Sequence, residues 1–181
     1  MLVTFNVEVA DKPGVLNRVS SLVRRRGYNI ESLTVGHTGT PGLSRMTLVV
    51  ETHPDAAARI EANLYKLVHV LRVENVTTRP TVHRYLALIK VGAAAETRSQ
   101  VMQLVDVFRA RVVDVAPDSL IIEITGTEDK IDGLLEILKP FGVKEVARTG
   151  CLAMSRGIAS RAAETDRGPS DAVDANISYS V

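Results

Sequence analysis

The order of hydrophobic periodicities along this chain constrains its fold more than any other feature. Apolar residues first alternate with polar ones, as in a half-buried strand, at Val3, Phe5, Val7 and Val9. They then recur at helical spacing, at Val15, Leu16, Val19, Leu22 and Val23. Through residue 77 the full order is strand, helix, strand, strand, helix, strand. This order predicts a ferredoxin-like βαββαβ unit.

The same order repeats in the second half of the chain. Thr78-Arg79-Pro80 interrupts the pattern, and a proline cannot donate to a sheet ladder. Four further strands are expected, at Val82–Val91, Arg111–Val115, Leu120–Thr125 and Val143–Arg148. We therefore predict an α+β protein with two ferredoxin-like units in tandem, at residues 1–78 and 79–156. Residues 157–181 contain few large apolar side chains and are predicted to form a disordered tail.

The first helix has clear signals at both ends. It is expected to run from about Pro13 to Arg26, with Asp11 as the N-cap, because a carboxylate accepts N–H bonds in a first turn. Gly27 is expected to end it as a left-handed C′ residue. Backbone N–H groups that open a helix at Gly14 also form a ready site for an anion. The residues alone leave open that Asp11-Lys12-Pro13-Gly14 is only a well-capped turn.

The connections around the third strand, Ser44–Glu51, are also predicted from local signals. The run from Gly36 to Gly42 is dense in turn residues and is expected to be a loop. The second helix is expected to begin with Asp55 as its N-cap and to keep helical spacing to about His69.

Composition excludes several functional classes. The chain has 22 Lys and Arg residues and 21 Asp and Glu residues, so it lacks the net basic charge that nucleic-acid binding requires. No apolar run approaches membrane-spanning length. The first strand begins almost at Met1 and leaves no room for a signal peptide, which favours a cytoplasmic protein.

No catalytic or metal-binding motif is visible in the sequence. The four histidines, His37, His53, His69 and His83, lack the spacing of metal ligands. Cys151 is a single cysteine without a base nearby in the sequence, and it is expected to be a small apolar residue close to a strand end. The three arginines that end the first helix suit the helix dipole and could also contact an acidic partner.

Two motifs carry a resemblance to a known family. Asp11-Lys-Pro-Gly14, followed by a helix and by Gly27-Tyr-Asn-Ile30, resembles the ACT domain, a small amino-acid-sensing module. The longer run from Arg26 to Val35, followed by Leu43-Ser-Arg-Met-Thr47, is similar to the small regulatory subunit of acetohydroxyacid synthase, or acetolactate synthase. Members of that family often have asparagine where this chain has Asp11.

The resemblance implies a partner and a role. The partner is the large catalytic subunit, which carries thiamine diphosphate, Mg²⁺ and FAD, so no cofactor and no catalytic residue is expected on this chain. The small subunit raises the partner's activity and confers feedback inhibition by valine in branched-chain amino acid biosynthesis. Two ACT domains are expected to pair as a homodimer with valine at the interface. The implied valine site comprises Asp11, Gly14, Val15, Leu16, Asn29 and Ile30, with Leu33 and Val35 as further apolar wall.

Four other functions belong to different classes. Another ACT-type amino-acid-sensing module would use the same site for a different effector. An amino-acid-responsive transcription regulator would need a DNA-binding element, and none is visible. An enzyme built on paired ferredoxin-like units would be active as the purified chain. A structural dimerisation module would bind no amino acid.

Overall fold

The computed structural model describes residues 1–157, and it contains the two predicted βαββαβ units. The predicted disorder of the remaining residues lies outside this range. The first unit comprises β1 (Leu2–Ala10), α1 (Val15–Arg25), β2 (Asn29–His37), β3 (Leu43–Glu51), α2 (Pro54–Tyr65) and β4 (Val70–Asn75). The second comprises β5 (Thr81–Gly92), α3 (Ala95–Val107), β6 (Arg111–Val115), β7 (Ser119–Gly126), α4 (Glu128–Leu138), a 3₁₀ turn (Lys139–Phe141) and β8 (Val143–Arg148).

Both sheets are antiparallel and share one topology. Their strand orders are β2-β3-β1-β4 and β6-β7-β5-β8, so in each unit the first and third strands lie at the centre. Because side chains alternate along a strand, one face of each sheet is apolar and packs on its two helices. In the first unit this core includes Phe5, Leu48 and Ile60, and in the second it includes Ile89, Ile122 and Leu134. The α+β prediction is confirmed.

Several predicted boundaries are wrong. Gly14, with φ +81°, is the N-cap of α1, so the helix starts two residues after Pro13 and Asp11 does not cap it. The loop predicted to begin at Gly36 begins only after His37, because Gly36 still pairs with Arg45 and β2 continues through His37. Gly27 does adopt the predicted left-handed conformation, with φ +75°.

The second helix differs from the prediction at both ends. His53 is its N-cap and Pro54 its first residue, because proline is favoured at a position whose N–H needs no partner. Asp55 therefore lies inside the first turn. The helix ends at Tyr65, after which the Lys66 and Leu67 N–H groups donate three residues back, to Asn63 and Leu64. His69 has a positive φ of 75°, and its carbonyl accepts the backbone N–H of Ala10 at 2.9 Å.

A ninth strand, which the sequence analysis missed, joins the two units. This strand, β9 (Leu152–Ser155), pairs with the first residues of β5. Its inward side chains pack on the face of the first sheet that α1 and α2 leave open. The resulting small core contains Val49, Val76, Cys151 and Ala153.

Polar contacts reinforce this attachment. The Cys151 N–H donates to the Ser32 hydroxyl at 2.7 Å, and Arg45 Nη2 donates to the Ala153 carbonyl at 3.1 Å. Gly150 passes so close to β2 that a Cβ atom there would lie 2.5 Å from Thr34 Oγ1 and 2.7 Å from Ser32 Oγ. The chain therefore requires a residue without a side chain at this point.

Substituting Gly150→Ala should weaken the attachment. Ser32 would have to rotate away and give up its bond to Cys151, while the β-branched Thr34 has little freedom to move. We expect the free energy of unfolding to fall by about 1–3 kcal/mol, as for other overpacked sites. Denaturant titration measures this, with Gly39→Ala as the control, because a Cβ atom at Gly39 meets nothing within 4 Å. Equal losses in the two variants would contradict the interpretation.

Candidate functional site

The N-terminal turn of α1 presents the backbone N–H groups of Gly14 and Leu16, while the Val15 N–H donates to the Lys12 carbonyl at 3.4 Å. No side chain caps the helix, and its first turn contains no acidic residue. The Gly14 carbonyl accepts the Arg18 N–H at 3.1 Å, which begins the helical ladder. A Cβ atom at Gly14 would meet nothing within 4 Å, so the space beside it is open. The partial positive charge of the helix terminus is therefore available to an anion such as a carboxylate.

Asp11 lies beside this turn with its carboxylate turned toward β2. Its Oδ2 atom is 3.5 Å from His37 Nδ1, and both side chains are exposed. Its backbone N–H donates to the Gly42 carbonyl at 2.8 Å, which fixes the turn between β2 and β3 against the start of α1. A ligand at Gly14 would meet the Asp11 carboxylate on this side.

Val15 and Leu16 differ in what they offer a ligand. Val15 is buried in the first core, so only its backbone is available. Leu16 is 44% exposed, and its side chain lies at the surface of α1. These two residues and Gly14 form the part of the predicted site that is contiguous within one chain.

Asn29 and Ile30 lie at the opposite end of the sheet. In the strand register Asn29 is opposite Glu51, and His37 is opposite Ser44. The turn of α1 follows the end of β1 that is paired with Leu43, which is the His37 end. Asn29 is thus eight residues along β2 from His37, a separation of about 25 Å. A single chain does not bring Asn29 and Gly14 together.

The apolar residues predicted to form the wall follow β2, an edge strand of the first sheet. Ile30 and Leu33 are partly buried against the core, and Val35 is 43% exposed. The Asn29 amide donates to the neighbouring Glu31 carboxylate, so it is held at the surface. An exposed edge strand presents unpaired backbone groups that a second strand can bind.

Cys151 has polar neighbours that the sequence does not reveal. Its Sγ atom lies 3.5 Å from His83 Nδ1, which β5 carries to it across 68 residues. Burial raises the pKa of the thiol, and the nearby Glu128 carboxylate raises it further, against a lowering by the Tyr85 hydroxyl. Burial and the contact with Cys151 likewise raise the pKa of Tyr85. A protonated, buried thiol is a poor nucleophile, so the prediction that Cys151 is a packing residue is confirmed.

The arginines that end α1 lie at the surface. Arg24, Arg25 and Arg26 are exposed, and Arg26 Nη2 donates to Asn63 Oδ1 of α2 at 3.1 Å. Within residues 1–157 no group of three or more His, Cys, Asp or Glu side chains is placed to hold a metal ion. No helix in the same range is long and apolar enough to span a membrane.

Comparison with known families finds two matches that together cover most of the chain. Residues 5–72 match the family described as the AHAS small subunit-like ACT domain. Residues 84–157 match the family described as the small subunit of acetolactate synthase.

Individual relatives agree with these matches. The acetolactate synthase small subunit of Mycolicibacterium smegmatis is 49% identical over 154 residues, which span 85% of this chain and 91% of that protein. The corresponding Bacillus subtilis protein is 46% identical over 155 residues, 85% of this chain and 90% of that one. The crystal structure of the small subunit from Thermotoga maritima superposes with a TM-score of 0.82 at 39% identity, covering 87% of this chain and 99% of that one.

The buried thiol should be inert in the folded protein. The chain has one cysteine, so a thiol-reactive chromogenic disulfide reports on Cys151 alone. Because burial raises the pKa of Cys151, we expect labelling near pH 8 to be at least about 100-fold slower in the native chain than in denaturant. Rapid stoichiometric labelling of the native chain would show that Cys151 is accessible and reactive.

Proposed function

Because this chain belongs to the acetolactate synthase small-subunit family, we propose that it raises the activity of the large catalytic subunit and makes that activity sensitive to valine. It is a small subunit of acetolactate synthase, an enzyme of branched-chain amino acid biosynthesis, and it works with the large subunit. In this proposal thiamine diphosphate, Mg²⁺ and FAD belong to the large subunit, and this chain supplies no catalytic residue. The complex would act in the cytoplasm.

The uncapped turn of α1 is the observation that carries the proposal. It combines open space beside Gly14, a positive helix terminus and a neighbouring Asp11 carboxylate. An α-amino acid carries both complementary charges. Its carboxylate would accept from the N–H groups of Gly14 and Leu16, and from that of Val15 in place of its 3.4 Å bond to the Lys12 carbonyl. Its ammonium would bond to Asp11.

A second copy of the chain would complete the site. If two β2 strands pair antiparallel about a two-fold axis at Leu33, each Asn29 comes opposite His37 of the other copy, because 29 and 37 are equidistant from 33. His37 lies 3.5 Å from Asp11, so the partner copy's Asn29 would reach the turn of α1. In this pairing the Asn29 near Gly14 belongs to the partner copy, while the chain's own Asn29 stays about 25 Å away. It also covers the open edge of the sheet.

The same pairing would give valine an apolar wall. Ile30 of the partner copy would face Gly36, next to the exposed side chain of Val35. Such a wall favours an aliphatic side chain over a polar one. It separates valine from leucine or isoleucine by only about 1–3 kcal/mol per methylene.

Inhibition requires that valine bind one arrangement of the complex better than the other. A coupling free energy of about 1–3 kcal/mol between valine and the active state is typical of such regulation. In a pair joined through β2, valine would contact both copies and therefore stabilise one relative orientation of the two units. A structural dimerisation module without a ligand is the alternative, and the next two experiments separate it from the proposal.

Substituting Gly14→Asp should abolish the valine response. The new side chain would occupy the open space beside α1 and place a negative charge where the ligand carboxylate binds. We expect valine affinity, measured by isothermal titration, to fall by about 100-fold or more, since juxtaposed like charges cost several kcal/mol. Inhibition of the reconstituted holoenzyme by valine should disappear with it.

The matched control is Gly142→Asp. Gly142 has φ +80° against +81° for Gly14, and a Cβ atom at either position meets nothing within 4 Å. Both variants therefore add the same strain and charge, but Gly142 lies in the second unit. The control should respond to valine as the unchanged chain does. A valine response that survives Gly14→Asp would refute the site.

A mixing experiment tests whether two copies share the site. Neither Gly14→Asp nor Asn29→Ala chains should bind valine when pure. In a mixed dimer, however, the intact Gly14 of one chain meets the intact Asn29 of the other. Unfolding and refolding an equal mixture should restore about a quarter of the wild-type sites, because half of the dimers are mixed and each holds one good site of two. No recovery in a mixture whose mixed dimers are verified by mass spectrometry would exclude a shared site.

A further inference from the structure

The face of the first sheet that turns away from α1 and α2 is polar. Because Phe5 and Val7 of β1 face the core, the intervening Asn6 and the following Glu8 face the other way. In the strand register Asn6 is opposite Thr47 of β3 on one side and Glu74 of β4 on the other. This face therefore carries a continuous polar row across the centre of the sheet.

A cavity of about 530 Å³ lies over this row. Its floor contains Asn6 and Glu8, the turn at Thr38–Thr40 forms one wall, and Met154 and Ser155 at the end of β9 form another. The volume falls within the range of small-molecule sites, about 300–1,000 Å³. The cavity is separated from the turn of α1 by the sheet, because α1 packs on the opposite face.

Asn6 leaves one polar atom without a partner in this cavity. The side chain is only 3% exposed, and its Oδ1 accepts from the Thr47 hydroxyl at 3.1 Å. Its Nδ2 atom has no hydrogen-bond partner among the described residues. An unpaired buried donor is costly, and native proteins pair nearly all such groups. Asn6 lines the cavity, so an acceptor bound there would supply the partner that this atom lacks.

The charges around Asn6 alternate in sign. Glu8 is opposite Arg45 of β3 on one side and Arg72 of β4 on the other, so one acidic and two basic side chains share this part of the face. The neighbouring Glu74 is already engaged by Arg79 at 2.9 Å, by the Ser155 hydroxyl at 3.3 Å and by Arg72 at 3.9 Å. Glu8 is thus the carboxylate in this cavity that is positioned to receive a ligand cation.

We propose that this cavity binds a free α-amino acid with a polar side chain, at a second site on the chain. The ligand's carboxylate accepts from Asn6 Nδ2 and from the guanidinium groups of Arg45 and Arg72, and its ammonium donates to Glu8. A zwitterion offers a carboxylate to the two arginines and an ammonium to Glu8, whereas a simple ion offers only one of these groups. The wall at Thr38–Thr40 and Ser155 supplies hydroxyl and backbone groups, which suit a polar side chain better than the aliphatic side chain of valine.

The turn from Thr38 to Gly42 lies between the two sites. It forms one wall of this cavity, and its Gly42 carbonyl accepts the N–H of Asp11 beside the turn of α1. An amino acid in the cavity would therefore contact the segment that fixes Asp11.

The test uses the full chain carrying Gly14→Asp, so that the site proposed for valine is removed. L-threonine, L-glutamine, L-glutamate and L-lysine are each titrated calorimetrically, with L-valine for comparison. We expect saturable binding of at least one of the four polar amino acids, with one site per chain. Adding Glu8→Gln should weaken that binding at least tenfold, since it removes the ammonium's partner without changing the side-chain volume. Asn6→Ala should weaken it as well.

Two controls keep the outcome decisive. Glu145→Gln removes the same charge from an exposed position on β8 and should leave binding unchanged. Circular dichroism melting verifies that each variant is folded. Failure of all four polar amino acids to bind the folded Gly14→Asp chain would overturn the proposal, and so would binding that Glu8→Gln leaves intact. Either result would leave the valine site untouched, because that site is tested by the valine response of the chain with Gly14 present.

Discussion

The packing of residues 150–155 on the first sheet organises the rest of the molecule. A ferredoxin-like sheet with helices on one face leaves its other face open, and in the first unit that face is largely polar. Strand β9 covers part of it, while its own backbone hydrogen bonds go to β5 of the second unit. The first sheet is therefore enclosed on one face by α1 and α2 and on the other by the C-terminal end of the described chain.

This arrangement determines which surfaces remain for binding. With one face of the first sheet covered by its helices and the other partly covered by β9, β2 is a long edge strand with free backbone groups, and it carries the partly exposed Ile30, Leu33 and Val35. The turn of α1 opens at the same level as the end of β2. The incomplete coverage by β9 also leaves a polar cavity over Asn6 and Glu8. One attachment thus accounts for both proposed amino-acid sites and for their separation by the thickness of the sheet.

Local signals in the sequence predicted the elements well. The strands Arg111–Val115 and Val143–Arg148 have the predicted bounds, because turn residues flank each of them closely. Asp11 was assigned as the N-cap because its side chain suits that role, but the left-handed conformation of Gly14 moves the helix start beyond its reach. Strand β9 was missed because four residues with two apolar positions facing solvent, Leu152 and Met154, give no clear periodicity.

Long-range relations were beyond the sequence. The contact of His83 with Cys151 and the unpaired Nδ2 atom of Asn6 depend on which strands meet, and periodicity does not specify that. The predicted valine residues illustrate the same limit. Gly14 and Asn29 were grouped by their motifs, yet the register puts them at opposite ends of one sheet. Only the pairing of two chains would reunite them.

The most direct test of the central claim is a crystal structure of the full chain grown with L-valine. The account predicts two chains joined through antiparallel β2 strands about Leu33, with valine bound between Gly14 of one copy and Asn29 of the other. Its carboxylate should face the N-terminus of α1. Valine bound within a single copy, or a dimer joined through another edge that leaves Asn29 far from Gly14, would contradict the account.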